Sequence, residues 1–323
     1  MTPHGVAVRG TGSALPARVV PTAELIDRYQ LDTSDEWVRT RTGIRERRFA
    51  GPADSAASLA TDAARRALEA AYLAPAELDL IVCGTVTPDR MCPSVACAVQ
   101  AALGCRPVPA FDVSAACSGF LYALAAATQF VKSGAARHAL VIGAEVMSRA
   151  LDFTDRRTCV LFGDAAGAVV LSATPNPAGG VRAVRLGADG TGGGLIEVAS
   201  AVTPGDGPRL RVAGKEVFRF AVERMAKLIW QAETDTREAG IATIDALVPH
   251  QVNRRIIDAA LAATGFPAER VVVNLDRYGN TSAASVPVAL DEAVRAGRCG
   301  PGHTVLLTAV GGGLTWGSAL VTL

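Results

Sequence analysis

The stretch Phe111-Asp112-Val113-Ser114-Ala115-Ala116-Cys117-Ser118-Gly119-Phe120 decides how the rest of the chain is read. The apolar run Val108 to Val113 reads as a short strand. A helix follows from about Ser118 to Ser133, with Gly134 as its C′ residue. A thiol at a helix start faces unpaired N–H groups and the positive end of the helix dipole, which predicts a lowered pKa and a nucleophilic Cys117. Small neighbours, Ser114 to Ala116 with Ser118 and Gly119, let a substrate reach the sulfur. Leu121 to Ala127 is apolar all round, so this helix belongs inside a large core. The competing reading is a buried structural cysteine, the common fate of a free Cys. This stretch alone does not separate the two.

Outward from it, strands and helices alternate. Val6–Gly10, Leu78–Gly84 and His138–Gly143 read as strands, and Ser55–Ala71 and Ser94–Leu103 as helices. Val160–Leu171 reads as two strands around a glycine-rich turn. The strands are almost continuously apolar, which predicts burial on both faces and an α/β sheet covered by helices. Pro175 to Gly180 reads as a break between halves, 1–174 and 175–323. The second half repeats the rhythm. It has strands at Val181–Leu186, Asp245–Pro249, Val271–Val273, Thr304–Ala309 and Thr315–Thr322. Its helices are Gly214–Glu238, Asn253–Thr264 and Ser282–Ala296. Asp189–Gly194 and Thr203–Pro208 suit a mobile loop.

The 323 residues are 50% hydrophobic but only 5% aromatic, so a large core must be built from small side chains in close layers. The net charge of +1 gives no field for nucleic acid. Cys83, Cys92, Cys97, Cys105, Cys117, Cys159 and Cys299 are odd in number and never spaced C-x-x-C. They read as free thiols in a reducing cytoplasm, neither a disulfide frame nor a zinc site. Met1–Val6 does not read as a signal peptide, and no apolar stretch reaches membrane-spanning length. A cytoplasmic location is expected, in which Asn280-Thr281-Ser282 is no glycosylation site.

Three further places attract chemistry. The run Thr33–Arg48 carries Arg39, Arg41, Arg45, Arg47 and Arg48 beside Trp37. It is either a solvated charged loop or a patch for a phosphate-bearing ligand with Trp37 as a stacking face. His250 ends the strand Ala246–Pro249, where α/β sheets bind ligands, whereas His4, His138 and His303 have ordinary settings. Asn280 lies in a turn of small residues and reads as a ligand group or a helix cap. Gly311-Gly312-Gly313 permits close backbone approach and supplies N–H donors for an oxyanion hole.

Asp112–Gly119, Val248–Asn253, Gly279–Ser285 and Gly311–Gly317 together resemble the signature segments of β-ketoacyl-[acyl carrier protein] synthase III. Asp35–Ile44 and Thr154–Arg156 match as well, so the resemblance runs end to end. It implies the thiolase-like α/β fold, two similar halves stacked as five layers α-β-α-β-α, in a homodimer. By resemblance, Cys117 takes an acyl group from acyl-CoA, with N–H groups of Cys117 and Gly312 on the thioester oxygen. His250 and Asn280 then hold the carbonyl of malonyl-acyl carrier protein while it loses CO₂. Trp37 and Arg156 match the pair around the CoA adenine, and Arg41 a phosphate contact. Arg255, with Arg219 and Arg254, matches the basic patch that meets the acidic carrier protein. Met147 and Phe162 match acyl-pocket positions. No cofactor, metal, nucleic acid or membrane is implied.

The sequence departs from the family where substrate is chosen. Cys92 and Val310 stand where many acetyl-selective members carry Phe, which predicts a roomier pocket for longer or bulkier primers. Ala262 and Ala263 replace lysines found in some members, which puts the carrier footprint in doubt. Two readings lead: initiation of fatty-acid synthesis, and a pathway enzyme starting a polyketide-like product, which the pocket departures favour mildly. Retention of His250 and Asn280 argues against an acyltransferase without decarboxylation. The intact Cys117, His250 and Asn280 argue against a non-catalytic partner.

Overall fold

The structure is a computed structural model that describes residues 5–176, 179–199 and 209–323. Nine strands form its main sheet system: β1 (Gly5–Ala14), β2 (Leu80–Gly84), β3 (Ala110–Val113), β4 (His138–Val146), β5 (Asp164–Thr174), β6 (Gly180–Ala188), β7 (Ala246–Pro249), β8 (Thr304–Gly311) and β9 (Thr315–Thr322). Six helices matter most: α1 (Ala56–Ala71), α2 (Val95–Leu103), α3 (Gly119–Lys132), α4 (Gly214–Glu238), α5 (Arg254–Thr264) and α6 (Ser285–Arg295).

The strand order is β7-β8-β9-β6-β1-β5-β4-β2-β3. The join between β6 and β1 is a single register pair, Val6 with Gly180. Gly180 has φ +76°, and a Cβ there would lie 1.7 Å from the Val6 carbonyl oxygen, so only glycine fits this seam. Either side of it hangs a separate sheet. Strand alternation divides each sheet's apolar side chains between two faces. Leu80 and Val82 of β2 join α3 and α6 in the central core, while Ile81 and Cys83 face α1 and α2. Val305 and Leu307 of β8 likewise face the centre, and Leu306 and Val310 face α4 and α5. The five layers are α1/α2, the β1–β5 sheet, α3/α6, the β6–β9 sheet and α4/α5. A helix apolar all round is what the middle layer demands, and α3 supplies it.

Several elements match their readings closely. α4 and β9 begin and end where the sequence put them, and α1, α2 and α5 carry the side-chain caps Ser55, Ser94 and Asn253. Other readings are corrected. Val160–Leu171 is not two strands: a turn leads into one long β5, held in register by β1 and β4 on both sides. Val271–Val273 makes only an isolated bridge to Leu247, too short for a strand. Asp189–Gly194 forms a 3-10 turn, Gly190–Leu195, capped by the Asp189 carboxylate. The charged run is not a loop. It folds as a helix (Asp35–Thr42) capped by Ser34 and a strand (Glu46–Phe49). Inside it Arg47 is fully buried, donating to the carbonyls of Val20 and Val160 and to the Thr22 hydroxyl. Of the break and loop readings, residues 177–178 and 203–208 lie outside the described residues.

Candidate active site

Cys117 sits in a 3-10 turn, Ala116–Ser118, between β3 and α3. Ala116 takes φ +46°, an uncommon conformation for a residue with a Cβ. The turn after β8 closes over it. Thr315 Oγ1 donates to the Ala115 carbonyl at 2.9 Å, and a Cβ on Gly311 would meet the Cys117 nitrogen at 2.7 Å. Gly312 lies in the same turn, against Ile196 and beside Ser114, Ala115 and Ala116.

His250 follows β7 and is fully buried. Its backbone N–H donates to the Thr308 carbonyl at 2.7 Å, and its Nδ1 lies 2.6 Å from Ser285 Oγ at the start of α6. Nε2 is buried with no protein partner. Burial pushes the imidazole pKa down to about 3, so the ring is neutral at ordinary pH. Asn280 is pinned through its backbone to Leu161 and Gly163. Its Oδ1 accepts from the Ser282 N–H at 2.8 Å, which leaves Nδ2 as a donor. Asn280 is thus not a helix cap, that place falling to Thr281; it makes an Asx turn ahead of the 3-10 segment and lines the cavity.

These three side chains line one apolar cavity of about 180 Å³, together with Met147, Phe162 and Val310. Phe218 of α4 and Asn253 also border it. The expected low thiol pKa is corrected here. Burial pushes Cys117 up to about 12, against a hydrogen bond with Ser282, and the Glu145 charge pushes the same way. The sulfur precedes α3 by a turn and is walled by apolar groups, so desolvation outweighs the helix end.

Two groups in this site escaped the sequence reading. Glu145 is wholly buried at the end of β4, and Ser282 stands between Cys117 and that carboxylate. A carboxylate inside the apolar strand His138–Val146 was the available signal for the first. Ser282 carried none beyond its place in the Asn280 turn.

The remaining candidates are spread around the cavity. Arg156 lies over the Trp37 ring at 5.7 Å, with Trp37 46% exposed, and donates to the Asp32 carbonyl. Arg41 is exposed one turn beyond Trp37 on the same helix. Arg219, Arg254 and Arg255 are exposed on α4 and α5. Arg255 lies over Phe218 at 5.7 Å, and Arg254 pairs with Asp258 at 2.7 Å. Cys92 is exposed and is not among the residues lining this cavity. Among the described residues, no three His, Cys, Asp or Glu side chains group to hold a metal, and no helix is long and apolar enough to cross a membrane.

Residues 111–190 match the family model for 3-oxoacyl-[acyl-carrier-protein] synthase III, and residues 235–323 match that for its C-terminal part. The β-ketoacyl-[acyl-carrier-protein] synthase III of Rhizorhabdus wittichii is 53% identical over 320 residues, covering 97% of this chain and 98% of that one. The crystal structure of 3-oxoacyl-[acyl-carrier-protein] synthase III from Aquifex aeolicus superposes with a TM-score of 0.92 at 45% identity, covering 99% and 100% of the two chains. The priming β-ketosynthase of the R1128 polyketide pathway follows at TM-score 0.90 and 39% identity, covering 99% and 97%. With the layered fold and the cavity shared by Cys117, His250 and Asn280, these matches place the chain in the β-ketoacyl-[acyl carrier protein] synthase III family.

Proposed function

We infer that the protein is an acyltransferase that starts fatty-acid synthesis by condensing an acyl-CoA primer with malonyl-acyl carrier protein. The observation that carries this is the convergence of a thiol, a neutral imidazole with a free Nε2 and an amide with a free Nδ2 on one apolar cavity. Cys117 attacks the acyl-CoA thioester, the oxyanion is held by the N–H groups of Cys117 and Gly312, and CoA leaves. Loss of one such donor typically costs about 10²–10³ in rate. Malonyl thioester then places its carbonyl oxygen between His250 Nε2 and Asn280 Nδ2. Loss of CO₂ leaves an enolate, whose carbon attacks the acyl-cysteine to give a β-ketoacyl carrier protein. Two neutral donors suit that oxygen, because a carboxylate there would repel the developing charge.

Trp37 and Arg156 stack the CoA adenine, Arg41 meets phosphate, and Arg219, Arg254 and Arg255 receive the acidic carrier protein. Met147, Phe162 and Val310 bound the acyl chain, and Val310 in place of a ring favours primers longer or bulkier than acetyl. Cys92 reaches such a pocket only from the partner in a homodimer. The halves 1–174 and 175–323 are the two repeats of the fold, and the protein works in the cytoplasm. A dedicated polyketide role is not favoured, since relatives at about half identity are synthase III enzymes and the polyketide priming enzyme is less similar.

The test is intact-protein mass after incubation with acetyl-, butyryl-, octanoyl- and malonyl-CoA, with Cys117→Ala as control. Acyl adducts on the wild type alone are expected, followed by a β-ketoacyl product when malonyl carrier protein is added. Malonyl transfer without CO₂ loss would overturn the condensing reading.

A further inference from the structure

We propose that Glu145 is a positioning residue that draws the Cys117 proton away through the Ser282 hydroxyl, making the thiolate only when the cavity needs it. The inference rests on Cys117 being the nucleophile. Its basis is three side chains from three separate elements, the turn before α3, the turn after Asn280, and β4: Cys117 and Ser282 line the same cavity, Ser282 pulls the Cys117 thiol pKa down, and Ser282 bonds Glu145. Glu145 Oε1 accepts from Ser282 Oγ at 3.0 Å. Its Oε2 accepts from Thr85 Oγ1 at 3.2 Å, from the Thr87 N–H at 3.1 Å and from Thr87 Oγ1. The Val86 N–H reaches both oxygens at 3.2 and 3.3 Å. Every partner is neutral, so no cation compensates the carboxylate charge. Ser282 itself holds φ +49°, a conformation retained where it brings the hydroxyl between sulfur and carboxylate.

Ser282 owns one hydroxyl hydrogen. While Glu145 is ionised, that hydrogen points to Oε1 and the oxygen can only accept from the Cys117 S–H. Transfer then follows one path. The S–H bond breaks as an O–H bond forms on Ser282. The original Ser282 O–H bond breaks as one forms on Glu145. One proton has moved from sulfur to carboxylate and one negative charge has moved back, and the serine now donates to the thiolate. When the thioester exchanges, the proton returns by the same hydroxyl to the departing CoA thiolate. No other reactant is needed.

Burial pushes Glu145 up to about 7, which suits a group that gains and loses a proton near neutrality. The imidazole across the cavity is a poorer acceptor, held near 3. Of the ionisable groups on elements packed against β4, Cys83 on β2 and Cys117 itself feel the Glu145 charge, Asp164 lies on β5, Asp62, Arg65, Arg66 and Glu69 of α1 are exposed, and Asp291 of α6 is held by Thr11, Ser13 and Arg295. Cys83 is driven further from ionisation by burial, and the Asp164 carboxylate is occupied by Ala50 and Ser148.

The experiment is the pH profile, from pH 5.5 to 10, of Cys117 alkylation by iodoacetamide, followed by intact mass. The probe needs no CoA or carrier protein. The wild type is expected to show a rise that levels off near pH 7. Glu145→Gln and Ser282→Ala are each expected to lose that inflection, rise steadily across the range and react at least tenfold more slowly at pH 7. Ser282→Ala keeps the Glu145 charge, its other donors and the backbone N–H that orients Asn280, so it decides the matter if Glu145→Gln does not fold. An inflection near pH 7 that survives in Ser282→Ala overturns the relay and leaves Glu145 a brace for Thr85–Thr87. A wild type without the inflection overturns it too. Labelling that persists in Cys117→Ala would instead remove the nucleophile assignment, and the relay with it.

Discussion

His250 and Val310 show how single residues set chemistry here. The folded imidazole titrates near 3, whereas an unfolded histidine titrates near 6.5. Below pH 6.5 the unfolded chain takes up a proton that the native site refuses, so stability falls with pH down to about 3. His250→Asn removes that contribution. Urea unfolding at pH 7 and pH 5 should find the wild type losing about 2 kcal/mol more than the variant over that interval, from about 1.4 kcal/mol per pH unit. For the same reason the decarboxylation step should show no loss of rate at pH 6.5 from His250 protonation. Val310 is buried against the cavity beside Cys117. Val310→Phe fills part of its free space. The butyryl-to-acetyl ratio of labelling rates should fall about tenfold or more, as overpacking typically costs 1–3 kcal/mol. An unchanged ratio would place the acyl chain elsewhere.

At the scale of elements, the low aromatic content becomes close backbone approach. A Cβ on Gly143 of β4 would stand 2.3 Å from the Ala283 carbonyl oxygen, and one on Gly84 of β2 would stand 2.4 Å from the Gly119 carbonyl carbon. These contacts press the sheet onto the turns that carry Asn280 and Cys117. Gly143→Ala should therefore lower stability by about 3 kcal/mol and move the Asn280 turn. Condensation should fall further than acyl labelling of Cys117 if, as proposed, only the former uses Asn280. Product assays and intact mass on one preparation separate the two.

For the whole molecule, the charge balance near zero hides a local distribution. Arg255 and Arg219 are exposed near the Phe218 border of the cavity. Arg255→Glu reverses a charge where an acidic partner would dock. KM for malonyl-carrier protein should rise about tenfold, equivalent to about 1.4 kcal/mol. The gap should narrow as salt is added, since exposed charges are screened. A gap indifferent to salt would point to lost packing on Phe218 rather than lost charge.

The sequence by itself determined most of the layered fold. α4 was legible to the residue because its apolar stripe is local and regular, and the caps of α1, α2 and α5 announce themselves within four positions. It also marked Cys117, His250 and Asn280, each at the end of an element in a run of small residues. Only the tertiary structure decided what depends on burial by distant parts of the chain. Arg47 looked like one more exposed arginine until strand pairing closed over it. Cys117 looked acidic from its helix, yet its cavity walls come from residues spread between Val86 and Gly311, and their desolvation outweighs the dipole. Glu145 meets Ser282 across 137 positions, a distance over which local periodicity carries no information and only packed layers bring groups together.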